Sequence, residues 1–187
     1  MPTPPTTQWD WKSWVGVAIG LVSLILGSLI LESRPTLSLD APTKPEDILS
    51  TQAIISNDGA LPLEDVDVAV FIRKIQGPKY SAGPTTGTRY QPPSREMNIG
   101  DKKTIRISPV SIYVGTPIVS VDVGLIVCYR PDFVPAWMWM WFGKPKVFRF
   151  DSARFADGTS KLRQQPDDGK LLSEYERFAG VKACAPN

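Results

Sequence analysis

The longest apolar stretch in the chain runs from Trp14 to Leu31, WVGVAIGLVSLILGSLIL, eighteen residues without a charge or a proline. A helix of that length, rising about 1.5 Å per residue, reaches roughly 27 Å, close to the hydrocarbon thickness of a bilayer. A helix also satisfies its own backbone polar groups in lipid. Trp9, Trp11 and Trp14 cluster at its N-terminal side, where amphipathic rings favour the headgroup region. Glu32, Arg34 and Pro35 stop the run. The pattern predicts a transmembrane helix at 14–31. The alternative, a buried core helix, fits neither the length nor the flanking indoles. Within the run, Gly16, Gly20, Ser23 and Gly27 recur at i, i+4, i+7 and i+11 and share one helix face. Small residues on a stripe let two helix backbones approach. The plain reading is the glycine content common to membrane helices. The functional reading is lateral packing against a membrane-protein partner or a second copy.

Beyond Glu32 the period changes from helical to two. Thr36–Asp40 alternates apolar and polar residues. Leu49–Ser56 reads as a strand closed by Asn57-Asp58-Gly59, where Asn and Gly accept positive φ. Glu64–Ile75 places Val66, Val68, Val70 and Ile72 on one face and Asp65, Asp67, Ala69 and Arg73 on a more polar one. A long loop over 76–100 leaves room for a short strand near Arg89-Tyr90. Lys102–Ser108 turns Ile105 and Ile107 inward, and Ile118–Tyr129 lines Val119, Val121, Val123, Leu125 and Val127 on one face. Lys146–Phe150 supplies another strand. Short strands separated by turn signals predict a β-sandwich. At the end, Pro166-Asp167-Asp168 can start a helix carrying Leu171, Leu172, Tyr175, Phe178 and Ala179, with Gly180 to terminate it. It is expected to pack on the sandwich rather than lie on a membrane surface.

The organisation expected is a tail at 1–13, the transmembrane helix at 14–31, a linker with the first strand at 32–48, the sandwich at 49–165, and a C-terminal helix with its tail at 166–187. Of the 187 residues, 18 are Pro and 14 Gly, which favours β architecture over a helical bundle. Within this frame, Ala53-Ile-Ile-Ser-Asn-Asp-Gly-Ala-Leu-Pro-Leu-Glu-Asp-Val-Asp-Val-Ala-Val70 resembles the strand–Asn-x-Gly–strand pattern of bacterial immunoglobulin-like domains of the cell-adhesion-related, CARDB-like type. The resemblance implies an immunoglobulin-like sandwich on a membrane anchor, used as a spacer or interaction module. A fold alone fixes no role.

A net charge of +2 from 21 basic and 19 acidic residues excludes a polybasic nucleic-acid binder. The absence of histidine excludes Ser-His-Asp and Cys-His catalysis and histidine metal sites. No phosphate-binding glycine motif occurs. No cofactor and no metal is expected, and no enzymatic activity. Asp65 with Asp67 reads as a solvated strand face rather than a catalytic pair, and Asp167-Asp168 as helix-start residues. Cys128 and Cys184 are either unrelated thiols or a disulfide tying the tail to a central strand, which implies an oxidising compartment. An uncleaved anchor is favoured over a signal peptide, for want of a small-residue cleavage site. Lys and Arg counts beside the apolar run do not fix orientation. The short N-terminal tail and β-rich remainder favour an exported domain at the cell membrane.

One segment breaks the pattern. In Phe133-Val-Pro-Ala-Trp-Met-Trp-Met-Trp-Phe142, Trp137, Trp139 and Trp141 alternate with Met138 and Met140, so a strand would gather the indoles on one face. Three readings stay open: a core strand, a membrane-interface contact, and a partner-docking surface. Lys144, Lys146 and Arg149 follow and could meet lipid phosphates. The functional expectation is a non-catalytic, single-pass accessory subunit of a larger membrane complex. The alternative is an envelope adhesion or ligand-sensing module, and an enzyme of unknown class is the remote one.

Overall fold

The computed structural model describes residues 11–32, 34–42, 48–90, 96–107, 118–142, 145–154 and 160–184. Most of the expected tail, with Trp9, lies outside them. In chain order the elements are α1 (Trp11–Glu32), β1 (Pro35–Leu39), β2 (Gln52–Asn57), β3 (Leu63–Gln76), β4 (Ser81–Ala82), β5 (Thr85–Tyr90), β6 (Lys102–Arg106), β7 (Ser120–Pro131), α2 (Ala136–Phe142), β8 (Lys146–Arg154), β9 (Ser160–Gln165) and α3 (Leu171–Ala179). The protein is mainly β with a short C-terminal helix. One sheet has the order β1-β2-β6; the other has the order β4-β3-β7-β8-β9, with β5 also on β3. Every strand pairing is antiparallel.

The sheets meet over one apolar core. Leu37, Ala53, Ile55, Ile105 and Ile107 come from the three-stranded side and Val68, Val70, Ile72, Val121, Val123, Leu125 and Val127 from the larger sheet. These are the inward positions of the period-two pattern. Val119 is the exception, since β7 begins one residue later and Val119 is 53% exposed. The segment before β2 also departs from the expected strand. Ile48–Ser50 is a 3₁₀ turn, closed where the Thr51 hydroxyl donates to Ile48 O at 2.7 Å.

β3 carries two register shifts against β7. Glu64 faces Arg130 and Asp67 faces Cys128, so β3 takes one more step than β7 there. Asp65, with φ of 51°, takes up the extra residue. The second shift falls between Ile72 and Lys74. Each shift flips the alternation, which is why Leu63, Val66 to Ile72 at even numbers, and Ile75 all reach the same core.

The other face of the large sheet is covered too. Ala69, Phe71, Ile126 and Cys128 form a second cluster with Leu171, Tyr175 and Ala183. Asp67 is therefore not on a solvated face as expected; it is 6% exposed, opposite Cys128. Helix α3 lies over this face and ends at Gly180, whose φ of 69° suits a residue without Cβ and whose N–H donates to Glu176 O. At its other end, Asp167 and Asp168 accept from the backbone N–H groups of Gly169 and Lys170, so they shape the turn before the helix and Lys170 is the cap.

Asn57 does not use a positive φ in the turn after β2. Its side-chain amide donates to Leu61 O at 2.8 Å and Met97 O at 3.1 Å, and its Oδ1 accepts from Gly59 N–H. A wholly buried amide thus ties the β2–β3 loop to the segment before β6.

Candidate functional site

Helix α1 is apolar around its whole circumference where its side chains are described, residues 14–27. Trp14, Val17, Ile19, Leu21, Val22 and Leu24 are all exposed, Leu24 to 75%. A Cβ built on Gly16, Gly20 or Gly27 meets nothing within 4 Å, and Ser23 is exposed beside them. The small-residue stripe is open along its described length. Among the described residues no helix is long and apolar enough to cross a membrane, so the expected span of 14–31 is not supported by them. Trp11 belongs to the helix, but its side chain lies outside the description.

The Trp-rich segment is helix α2, not a strand. Pro135 sets its first turn: its carbonyl accepts from Met138 and Trp139 N–H, both at 3.0 Å. Helical geometry separates the indoles that a strand would have aligned. Trp137 is 63% exposed, whereas Trp139 is half-buried with its ring 5.7 Å from that of Tyr129. The backbone of Trp141 lies in α2 and its side chain is outside the description. The preceding turn is pinned by buried Val134, whose carbonyl accepts from Arg130 Nη1 at 2.7 Å, while Phe133 is exposed. Sequence reading missed Tyr129 and Arg130 as supports, because each reads as one more residue of β7.

The basic residues expected to meet lipid are only partly available. Arg149 is turned onto Asp122, at 2.9 and 3.2 Å through two nitrogens. Lys146 is half-buried over the Phe148 ring; burial first, and the nearby Arg34 charge second, lower its pKa. Lys144 is outside the described residues.

The densest polar cluster spans the outer face of the large sheet. Arg73, at the second register shift of β3, grips Glu174 of α3 through two nitrogens at 2.6 and 2.8 Å and reaches Asp168 at 2.8 Å. Asp122 lies 3.6 Å from Arg73 and is shared with Arg149, which also reaches Asp168. The hydrogen bond to Glu174 leads in raising the Arg73 pKa, and the Lys170 backbone N–H leads in lowering that of Asp168, with Arg73 next. The alternation of two guanidiniums with three carboxylates holds α3; it leaves no lone acid poised for proton transfer. Asp65 pairs with Arg130 at 2.9 Å, away from buried Asp67. Among the described residues no group of three or more His, Cys, Asp or Glu could hold a metal.

Cys128 of β7 and Cys184, beyond α3, are joined by a disulfide with Cα atoms 5.5 Å apart. It closes the chain over the same outer face. No family model, curated protein or solved structure matches this chain.

Proposed function

We propose that the chain is a non-catalytic, single-pass protein of a bacterial cell membrane, an accessory subunit that packs on a larger membrane complex. The observation that carries the reading is α1: a helix apolar on all sides, with Val17, Ile19, Leu21, Val22 and Leu24 exposed, suits lipid, not water. The uncharged sequence from Trp14 to Leu31 supports a span longer than the described side chains. The open stripe of Gly16, Gly20, Ser23 and Gly27 supports close packing of a partner helix, or of a second copy.

The β-domain is immunoglobulin-like in this reading. The orders β1-β2-β6 and β3-β7-β8 correspond to the A-B-E and C-F-G strands of that architecture, which supports the immunoglobulin-like reading. The Cys128–Cys184 disulfide supports an exported domain, since such bonds persist in oxidising compartments. Only Ser33 and Arg34 separate α1 from β1, which favours a partner at the membrane over outward reach.

Co-purification in mild detergent tests the reading. The full chain should bring down a membrane complex, Gly20→Leu should lose it, and Val22→Leu, off the stripe, should keep it. Equal recovery with both variants removes the stripe as the contact. A free monomer in every case favours the adhesion or sensing module instead.

A further inference from the structure

The strand registers place α2 at the end of the domain from which α1 emerges. Pro35, first in β1, pairs with Asn57, last in β2. Residues 58–62 then lead to Leu63, first in β3, which pairs with Pro131, last in β7. Asp132 N–H donates to Pro62 O at 3.1 Å, and α2 begins at Ala136. Gln76 and Ser120 mark the opposite end, roughly 40 Å away along a strand of this length. The tether from Glu32 to Pro35 is two residues, three Cα steps that reach about 11 Å at most when extended.

Membrane helices are flanked by aromatic residues at both interfaces. At the N-terminal side of α1 these are Trp9, Trp11 and Trp14. The other side has none nearby in sequence, because no aromatic residue occurs between Trp14 and Phe71. The fold supplies them instead. Phe133 and Trp137 are exposed on a turn and helix held rigid from behind by Val134, Arg130 and the Tyr129–Trp139 contact.

We propose that α2 and the turn before it seat in the headgroup region of the bilayer on the side where α1 emerges, as a second membrane contact that fixes the tilt of the β-domain. This rests on the membrane reading of α1. The occupant is lipid because the two-residue tether holds this end against the surface that α1 enters. The contact is apolar rather than electrostatic: Asp58, Asp101 and Asp132 share this end with Arg34 and Lys146, so it is not a basic patch.

The full chain, reconstituted in phosphatidylcholine vesicles, provides the test. A single added thiol at Ala136, Lys79 or Leu24 carries an environment-sensitive fluorophore, the native cysteines being bonded to each other. Lipids spin-labelled near the headgroup serve as quencher. The Ala136→Cys label should be quenched several-fold more than the Lys79→Cys label at the far end. That quenching should fall to the Lys79 level when Phe133 and Trp137 are both changed to Ser. Equal quenching at 136 and 79, with Leu24→Cys quenched by lipid spin-labelled in the acyl chain, overturns the second contact while sparing the anchor. Quenching at 136 that persists in the Ser variant also overturns it, since the rings then hold nothing. No quenching at Leu24 overturns the anchor itself, and the second contact with it.

Discussion

The two faces of the large sheet are buried by different means. The inner face meets another sheet through apolar side chains, mostly Val, Ile and Leu with Phe148 and Phe150 from β8, at positions set by period-two alternation. The outer face meets a nine-residue helix, too short to persist by itself in water. Four specific devices hold that helix. Gly124 leaves the hole that Leu171 fills: a Cβ there would stand 2.3 Å from Leu171 Cδ2. Phe71 meets Tyr175 edge-on, with centroids 5.9 Å apart. Arg73 and the disulfide then fix the helix by charge and by covalent bond. A sheet face can be specified by repetition; a docked helix needs particular residues at particular places.

The largest test of this contrast is the disulfide. Replacing Cys128 and Cys184 by Ser should cost about 4 kcal/mol for a 56-residue separation, on the chain-entropy account. Hydrogen exchange should show α3 losing protection before β7. Simultaneous loss in both would mean that the two faces are one cooperative unit. Next, Leu125→Ala on the inner face should cost about 3 kcal/mol in chemical denaturation and destabilise both sheets together. Gly124→Ala should cost about 1–2 kcal/mol by overpacking, and much less in a Leu171→Ala background. Additive costs would show that Leu171 does not occupy the hole in solution. Arg73→Met should cost about 1 kcal/mol, and the loss should shrink in high salt.

The smallest effects are in pH and have opposite signs. Asp168 is held below the ordinary range, chiefly by the Lys170 N–H and then by Arg73. Its contribution is present above the unfolded pKa and is lost as pH falls through the folded one. Glu64, away from the helix, is raised first by a hydrogen bond with Asp132 and then by burial, against the pull of Arg130. Its contribution is present below the unfolded pKa and is lost as pH rises through the folded one. Denaturation midpoints across the acid range should therefore flatten on the low-pH side in Asp168→Asn and on the higher side in Glu64→Gln. A Glu64→Gln profile matching the parent would remove the Asp132 hydrogen bond as the cause.

The inner face was legible in the sequence because its signal is local: Val66 to Ile72 and Val121 to Val127 alternate plainly. The shifts at Asp65 and Arg73 were not, since a bulge appears only when two strands are compared. β9 escaped notice because Ser-Lys-Leu-Arg-Gln-Gln offers a single apolar residue, which suffices at a sheet edge. The Trp segment misled for a physical reason. Alternating Trp and Met match a strand's period, and Trp favours strands, yet Pro135 at the first turn was the helix signal that mattered. The small-residue stripe and the place of Trp14 on α1 could be read from the chain. Tyr129 and Arg130 could not, because their part depends on where β7 delivers α2. Arg73 reads from sequence only as part of a more polar strand face, its partners lying 49 to 101 positions away.

The junction of α1 with β1 also sets how the domain bears mechanical load. β1 is an edge strand with five residue pairs to β2, and its first residue is the one nearest α1. A pull on α1 along the strand direction strains those five pairs together, in shear, before it reaches the larger sheet. The disulfide closes a ring elsewhere and cannot share that force. β1 is thus the fuse of the domain. Its release would lengthen the connection to α1 while β3, β7 and the clasped helix stayed folded.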